Sequence, residues 1–365
     1  MKISWEFIYL GVFLETLIFS LILTPIAERI GLKLNLVDQP SVKKTHQGTI
    51  ARSGGLAIFL SFIFSIFLNI FIVQQILLHT QFVPDEIKIY LQNIHYVLSR
   101  LCGILIGATF IFFVGIIDDR FNLGPWTKLL CQILSVIPLI ITHIRIVLFI
   151  PFPFIGYILT IFWVMLLTNS FNFLDNMDGL TSGIGAIILL VLSFISWNSG
   201  EIFMTTIFLA LAGSIIGFWR YNFFRGRPFM GDGGSLFIGY LIAALTILAT
   251  YYKRGIPTSF PVLMPIVVLG VPIFDTVTVL WLRWRRRAPL MQGDTNHFSH
   301  RLVALGMSKR QAVIFIYFVT FCVALNAIPL QYLPLAGVVT VGFQTLIFFA
   351  LIYILERVSV LKNKS

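Results

Sequence analysis

The chain has 365 residues, 58% of them hydrophobic and 11% charged, with 36 Phe and a formal net charge of +11. Soluble domains carry about 25% charged residues, so this composition excludes a water-soluble globular protein and predicts an all-α, polytopic membrane bundle. The positive charge gathers beside apolar runs, which marks it as membrane-surface and phosphate-facing and excludes a nucleic-acid partner.

Eleven spans are predicted, at roughly 6–26, 54–73, 98–117, 125–143, 153–171, 182–198, 202–219, 234–251, 258–281, 311–328 and 335–355. Several approach the ~20 residues that cross ~30 Å of hydrocarbon, although the fourth and sixth are short. The first is read as a retained span. It lacks a basic leader beyond Lys2 and a small-residue cleavage site, and it continues into Thr24-Pro25 and a basic loop. Cys102, Cys131 and Cys322 fall within apolar segments and read as buried small hydrophobes rather than ligands or a disulfide framework.

Lys and Arg accumulate on the cytoplasmic side of membrane proteins. With the N-terminus outside and the C-terminus cytoplasmic, 20 of the 26 Lys and Arg fall on the cytoplasmic side. The outer side keeps Lys2, Lys88, Arg100, Arg145, Lys253 and Arg254. The turns that follow spans three, five, seven and nine are then all cytoplasmic, and each of these regions carries Asp. The first cytoplasmic loop adds Lys43-Lys44-Thr-His46, in which His46 is a candidate binding residue.

Asp118-Asp119 close the third span, and Gly124-Pro125 opens the fourth, since Pro suits a first helical position. Lys128 lies about one turn further on. Adjacent acids at a helix C-terminus oppose the macrodipole and need a compensating cation. A solvated helix end with a snorkelling Lys is the structural alternative. After span five, Asn172, Asp175 and Asp178 recur every third residue, so a continued helical or 3₁₀ turn would place them on one face. Capping of the next helix accounts for one of them but not for three. Phe229-Met-Gly231-Asp232-Gly-Gly-Ser235 opens span eight. Its glycines allow backbone N–H groups to approach a phosphate, although Asp232 alone could be a helix cap.

Asp275 lies within span nine, where catalytic and structural readings are equally balanced. Beyond it come Arg283-Trp-Arg-Arg-Arg287 and Asp294-Thr-Asn-His297-Phe-Ser-His300-Arg301. The Arg cluster suits a topology signal, whereas His297, His300 and Arg301 suit a diphosphate.

Taken in order, these turns resemble the signature loops of the polyprenyl-phosphate N-acetylhexosamine-1-phosphate transferases, glycosyltransferase family 4. The resemblance includes Asp38-Gln-Pro40, Lys43-Lys-Thr-His46, Gly54-Gly55, Asp118-Asp119 with Lys128, Asn172…Asp175…Asp178-Gly-Leu180, Asn222, Phe229-Met-Gly-Asp232, Pro272-Ile-Phe-Asp275 and His297…His300-Arg301-Leu302. It covers nearly the whole chain. It implies one membrane-embedded domain over 1–365, with an active site on the cytoplasmic face of the cell membrane. It further implies transfer of a sugar 1-phosphate, by default N-acetylglucosamine 1-phosphate, from a UDP-sugar to a polyprenyl phosphate such as undecaprenyl phosphate. UMP would be released and a lipid-linked envelope glycan begun.

By matching positions, Asp232 corresponds to the Mg²⁺ ligand, with Mn²⁺ as a substitute. Asp118 corresponds to the acid that deprotonates the lipid phosphate, and Asp119 and Lys128 to its catalytic companions. Asn172, Asp175, Asp178, Asn222, Phe229 and Gly231 correspond to residues around the nucleotide. A homodimer is compatible with the family. The last loop is similar to the Asp…His-x-His-His-Arg-Leu pattern of the WecA-like branch rather than to the three consecutive histidines of MraY. The chain departs from the pattern at Ser299, where a histidine is usual, at Asn176, where Gly is common, and at Ala51, where Pro is common.

Two other readings compete with this one. An MraY-like phospho-MurNAc-pentapeptide transferase shares the chemistry but differs in the last loop. An ion-coupled transporter would place acids at span centres, which only Asp275 suits.

Overall fold

Small and hydroxylated side chains line the inner face of α1 (Trp5–Lys33). Val12, Thr16, Ser20, Thr24, Ala27 and Gly31 are buried, while Phe7, Leu10, Leu14, Ile18, Ile22 and Ile26 point outward. This inverts the order of a soluble helix. Lipid tails are as apolar as Leu, so burial of large side chains supplies little drive, and close backbone packing through small residues replaces it. The structure is a computed structural model describing residues 4–38, 48–75, 95–147, 152–249, 263–289 and 297–362.

A two-stranded antiparallel hairpin follows α1, with β1 (Val37–Asp38) paired to β2 (Ile50–Ala51). Then come α2 (Gly54–Gln75), α3 (His95–Phe121), α4 (Pro125–Ser135), α5 (Ile137–Ile141), α6 (Pro153–Leu174), α7 (Leu180–Asn198), α8 (Ile202–Arg225) and α9 (Gly231–Leu248). The remainder is α10 (Met264–Val268), α11 (Gly270–Arg285), α12 (Phe298–Ala304), α13 (Lys309–Leu325), a 3₁₀ turn at Ile328–Gln331, and α14 (Leu335–Lys362). Among the described residues, nine helices are long and apolar enough to cross a membrane. This is a polytopic helical membrane protein.

The predicted fourth and ninth spans are broken, for the same reason each time. Proline has no N–H and its ring crowds the carbonyl four residues back. Pro138 therefore separates α4 from α5 at Val136, and Pro272 separates α10 from α11 at Leu269. Pro25 lies inside α1 without ending it. The carbonyl that it leaves unbonded belongs to Leu21, and that oxygen accepts a hydrogen bond from the Tyr221 hydroxyl at 3.1 Å. Backbone polarity in a hydrocarbon slab must be satisfied internally, and here a neighbouring helix satisfies it.

The core is built around α9, which packs against α3, α6 and α2, while α1 lies along α8 and α2. Gly213 and Gly217 of α8 form the α1 contact, since a Cβ at either would come within 2.5 Å of Thr16 or Ser20. Ser20 donates to the Ser214 carbonyl at 2.6 Å across the same seam. The outermost helix is α14, 17% buried over its apolar window against 83% for α9.

Two of the three cysteines correct the sequence reading. Cys102 and Cys322 are exposed at the outer surface, and Cys131 is half-buried. A thiol in an apolar run can face lipid as readily as protein, because both are apolar, and the run itself does not say which.

Candidate active site

The N-terminus of α9 is driven into the bundle by glycine. A Cβ on Gly115 of α3 would lie 2.5 Å from Gly233, and one on Gly55 of α2 would lie 2.3 Å from the Gly234 nitrogen. Backbone therefore touches backbone on two sides of the first turn of α9. Gly231 begins that turn at φ +74, a conformation L side chains avoid. A Cβ there would also strike the Arg52 carbonyl and the Asp119 carboxylate, each at 2.6 Å. On the approach to this turn, the Phe229 N–H donates to the Ala51 carbonyl at 2.9 Å, and Gly54 and Gly55 donate to the Phe229 and Met230 carbonyls. The hairpin loop and the α9 entry are thus laced together.

This packing brings three of the sequence-predicted acids to one place. Asp118 and Asp119 lie in the last turn of α3 and Asp232 in the first turn of α9, just beyond the hydropathy limits of spans three and eight. Asp119 Oδ2 accepts from the Gly233 N–H at 3.2 Å, a carboxylate at a helix N-terminus, where the macrodipole favours it. Asp118 Oδ1 accepts from the Leu123 N–H at 2.6 Å, which caps the end of α3.

Lys128, one turn into α4, bonds both Asp118 and Asp232, the second at 2.6 Å. One turn further along α4, Gln132 exchanges both amide hydrogen bonds with Asn169 of α6, at 2.7 and 3.2 Å. That buried pair fixes the face of α4 that presents Lys128. Asn172 of α6 donates to Asp232 Oδ1 and to Ser235, each at 3.0 Å.

Asn172, Asp175 and Asp178 do not share one face. The helix stops at Leu174, and Asp175 takes ψ 49, so the three-residue spacing ceases to be a helical spacing. Asp175 stays within electrostatic reach of Asp232 and Asp119; burial first, then these two charges, push its carboxyl up to about 8. Asp178 instead lines a cavity of about 250 Å³ with Met177, Phe223, Arg225, Lys309 and Arg310. Asn222 is committed on both sides of its amide. It accepts from the Gly179 N–H at 2.6 Å and donates to the Pro228 carbonyl at 3.0 Å, so it braces the 175–179 turn against the α9 approach.

From sequence, Arg52 is one of the 20 Lys and Arg that fall on the cytoplasmic side. In the structure it bonds Asp38 on the opposite strand of the hairpin, and its second guanidinium nitrogen lies 3.8 Å from Asp119 Oδ1. No local signal separates Arg52 from its neighbours; the hairpin does.

The loop histidines divide. His297 is 5% exposed, and its Nδ1 lies 2.9 Å from Asp275 Oδ2, while the Phe298 N–H donates to the other oxygen of Asp275 at 2.6 Å. Asp275 therefore serves the start of α12 and is not a lone midplane acid. His300 and Arg301 are half-buried, and Arg301 reaches Thr278 at 3.3 Å. His46 and Asp294 lie outside the described residues.

The donor set suits a hard divalent cation held in part by substrate. Three carboxylates (Asp118, Asp119 and Asp232) meet Lys128 and Arg52, Arg52 is shared with Asp38, and Asp175 lies within electrostatic reach of Asp119 and Asp232. Asp119 Oδ1 is buried and accepts no hydrogen bond among the described residues. Among those residues there is also no group of three ligands arranged to cage a metal by themselves. That pattern fits Mg²⁺, which binds through one or two carboxylates plus phosphate oxygens and water rather than an all-protein cage.

Residues 101–250 match the family model for glycosyl transferase family 4. The chain is 32% identical over 355 residues to a Bacillus subtilis (strain 168) protein named "Probable undecaprenyl-phosphate N-acetylglucosaminyl 1-phosphate transferase", covering 95% of this chain and 90% of that one. It is 29% identical over 321 residues to the decaprenyl-phosphate N-acetylglucosaminephosphotransferase of Mycobacterium tuberculosis (strain CDC 1551 / Oshkosh), covering 81% and 76% of the two chains. Similarity to the undecaprenyl-phosphate alpha-N-acetylglucosaminyl 1-phosphate transferase of Salmonella typhi is 26% over 320 residues, covering 84% and 78%.

Proposed function

Because the chain belongs to glycosyl transferase family 4, we propose that it transfers N-acetylglucosamine 1-phosphate from UDP-N-acetylglucosamine to a membrane polyprenyl phosphate, releasing UMP. The whole chain works as one domain in this reading. The observation that carries it is Lys128 bonded to Asp118 and Asp232, which brings the ends of α3, α4 and α9 to one charged point. The chemistry needs such a point. Attack of one phosphate on another gathers several negative charges, and fixed cations must offset them.

Asp232, with Asp119 beside it, would hold the Mg²⁺, which when bound supplies Lewis-acid polarisation of the phosphoryl oxygens. The remaining work belongs to the side chains. A lipid phosphate has a second pKa near ~6, so its attacking oxygen needs only a small push. Asp118 is placed to take that proton or to orient the oxygen, and Lys128 holds Asp118 in line. Asn172 keeps Asp232 pointed inward. Arg52 restrains Asp119 and keeps the hairpin loop closed against it. Asp175 adds charge that a bound cation would stabilise, and His300 and Arg301 offer donors to the diphosphate from the last loop.

The test is purified protein with Mg²⁺, undecaprenyl phosphate and a panel of UDP-sugars, following UMP. UDP-N-acetylglucosamine is expected to turn over and UDP-MurNAc-pentapeptide to be ignored. The opposite preference would move the chain to the MraY branch.

The cytoplasmic face is the side that the Lys and Arg distribution supports. In a cysteine-free background, Cys introduced at Arg120 or Arg225 is expected to react only with a reagent supplied from the cytoplasmic side. Cys introduced at Lys253 is expected to react from outside. Labelling of Arg120 and Arg225 positions from opposite sides would break the single site, because carboxylates on opposite membrane faces cannot share a cation.

A further inference from the structure

Two positions at which the chain departs from the family pattern, Asn176 and Ser299, touch each other. The Ser299 hydroxyl donates to Asn176 Oδ1 at 2.6 Å, across 123 residues of sequence, and Ser299 is 1% exposed. Asn176 is held from its other side, since its Nδ2 donates to the Phe173 carbonyl at 2.8 Å. The Phe173 ring in turn lies edge-on to His297, with centroids 5.7 Å apart, and the Arg283 guanidinium lies 5.2 Å from its centre. Asn176 directly follows Asp175, and Ser299 directly precedes His300 and Arg301. The contact therefore joins the acidic turn after α6 to the first turn of α12.

We propose that Asn176 and Ser299 are a matched pair of positioning residues that set the spacing between the Asp175 turn and the His300–Arg301 face of α12. In this assignment Ser299 does not touch substrate. Its hydroxyl is spent on Asn176 in a buried site, and its effect on the sugar nucleotide passes through its neighbours. The pairing also explains both departures at once. A glycine at 176 leaves room for an imidazole at 299, and an asparagine at 176 fills that room and needs a short donor opposite. The backbone at Asn176 is not left-handed, so its side chain, rather than any special backbone freedom, is what the position uses.

The proposal rests on the transferase reading, because it concerns the grip on the sugar nucleotide. Its test is a double-substitution cycle with Asn176→Gly, Ser299→His and the two combined, alongside Ser299→Ala. KM and kcat are measured separately for UDP-N-acetylglucosamine and for polyprenyl phosphate, and thermal midpoints are taken on the same preparations. Ser299→Ala is expected to raise the KM for the sugar nucleotide roughly tenfold, the scale of one buried hydrogen bond, while the KM for the lipid is unchanged. Ser299→His alone is expected to be the most impaired, and adding Asn176→Gly is expected to recover most of kcat/KM.

Additive losses in the combined variant would overturn the pairing. A loss of kcat with the KM for both substrates unchanged would also overturn it, because that is the signature of a smaller folded fraction. Wild-type protein that releases no UMP would instead refute the transferase reading. In that case the pairing stands or falls on the cycle of thermal midpoints alone, non-additive or additive.

Discussion

Asp232→Asn is expected to lower the rate of UMP release by at least about 10²-fold, or about 2.7 kcal/mol of barrier, the scale of losing a principal electrostatic stabiliser. The exchange is nearly isosteric, so the glycine contacts that seat α9 between α2 and α3 remain. What changes is charge and donor pattern. Asp232 Oδ2 now accepts from the Lys128 ammonium at 2.6 Å, and Oδ1 from Asn172 at 3.0 Å. If Asn172 keeps its acceptor, the introduced amide nitrogen faces Lys128 donor to donor. Lys128 is then left to Asp118, and the cation loses its ligand. Thermal midpoints measured with the rates separate this outcome from unfolding. A folded Asp232→Asn protein within tenfold of wild type would show that the metal is held elsewhere.

Removal of divalent cations is expected to abolish turnover, by at least about 10²-fold, with recovery on adding Mg²⁺ or Mn²⁺. The reasoning is a charge count. Asp118, Asp119 and Asp232 already outnumber Lys128 and Arg52, and the charges of Asp232 and Asp119, after burial, help push the neighbouring Asp175 carboxyl up to about 8. A raised acid pKa means that the carboxylate form is disfavoured below that pH, so an added cation favours ionisation there. A sugar nucleotide and a lipid phosphate bring further negative charge to the same place. Full activity in excess chelator would refute this account and leave the neutralising to side chains such as Lys128, Arg52 and Arg301. Varying the chelator at constant ionic strength keeps simple screening out of the comparison.

The division of the chain into apolar spans and charged turns was legible, because hydropathy and Lys/Arg placement are local properties that lipid reads residue by residue. So was the meeting of acids at the turns, since Asp118-Asp119 and Asp232 stand out in a chain with so little charge and the structure brings them together at Lys128. Helix ends were less legible. Asp118, Asp119 and Asp232 fall a residue or two beyond the span limits drawn from hydropathy yet lie in terminal helical turns, because polar residues can extend a helix past the hydrocarbon. The shared face expected of Asn172, Asp175 and Asp178 failed at Asp175, whose backbone leaves the helical region. Nothing in the spacing announces that.

The sequence by itself determined a helical membrane protein and the residue types from which a phosphate and cation site could be made. Only the tertiary structure decided which of them meet. Lys128 reaches Asp232 across 104 residues because Gly55, Gly115, Gly233 and Gly234 let three helix backbones touch. The same packing selects Arg52 from among the basic loop residues, turns His297 toward Asp275, and joins Asn176 to Ser299. These are contacts between distant segments, and their energies depend on backbone approach and burial. Composition and periodicity carry neither.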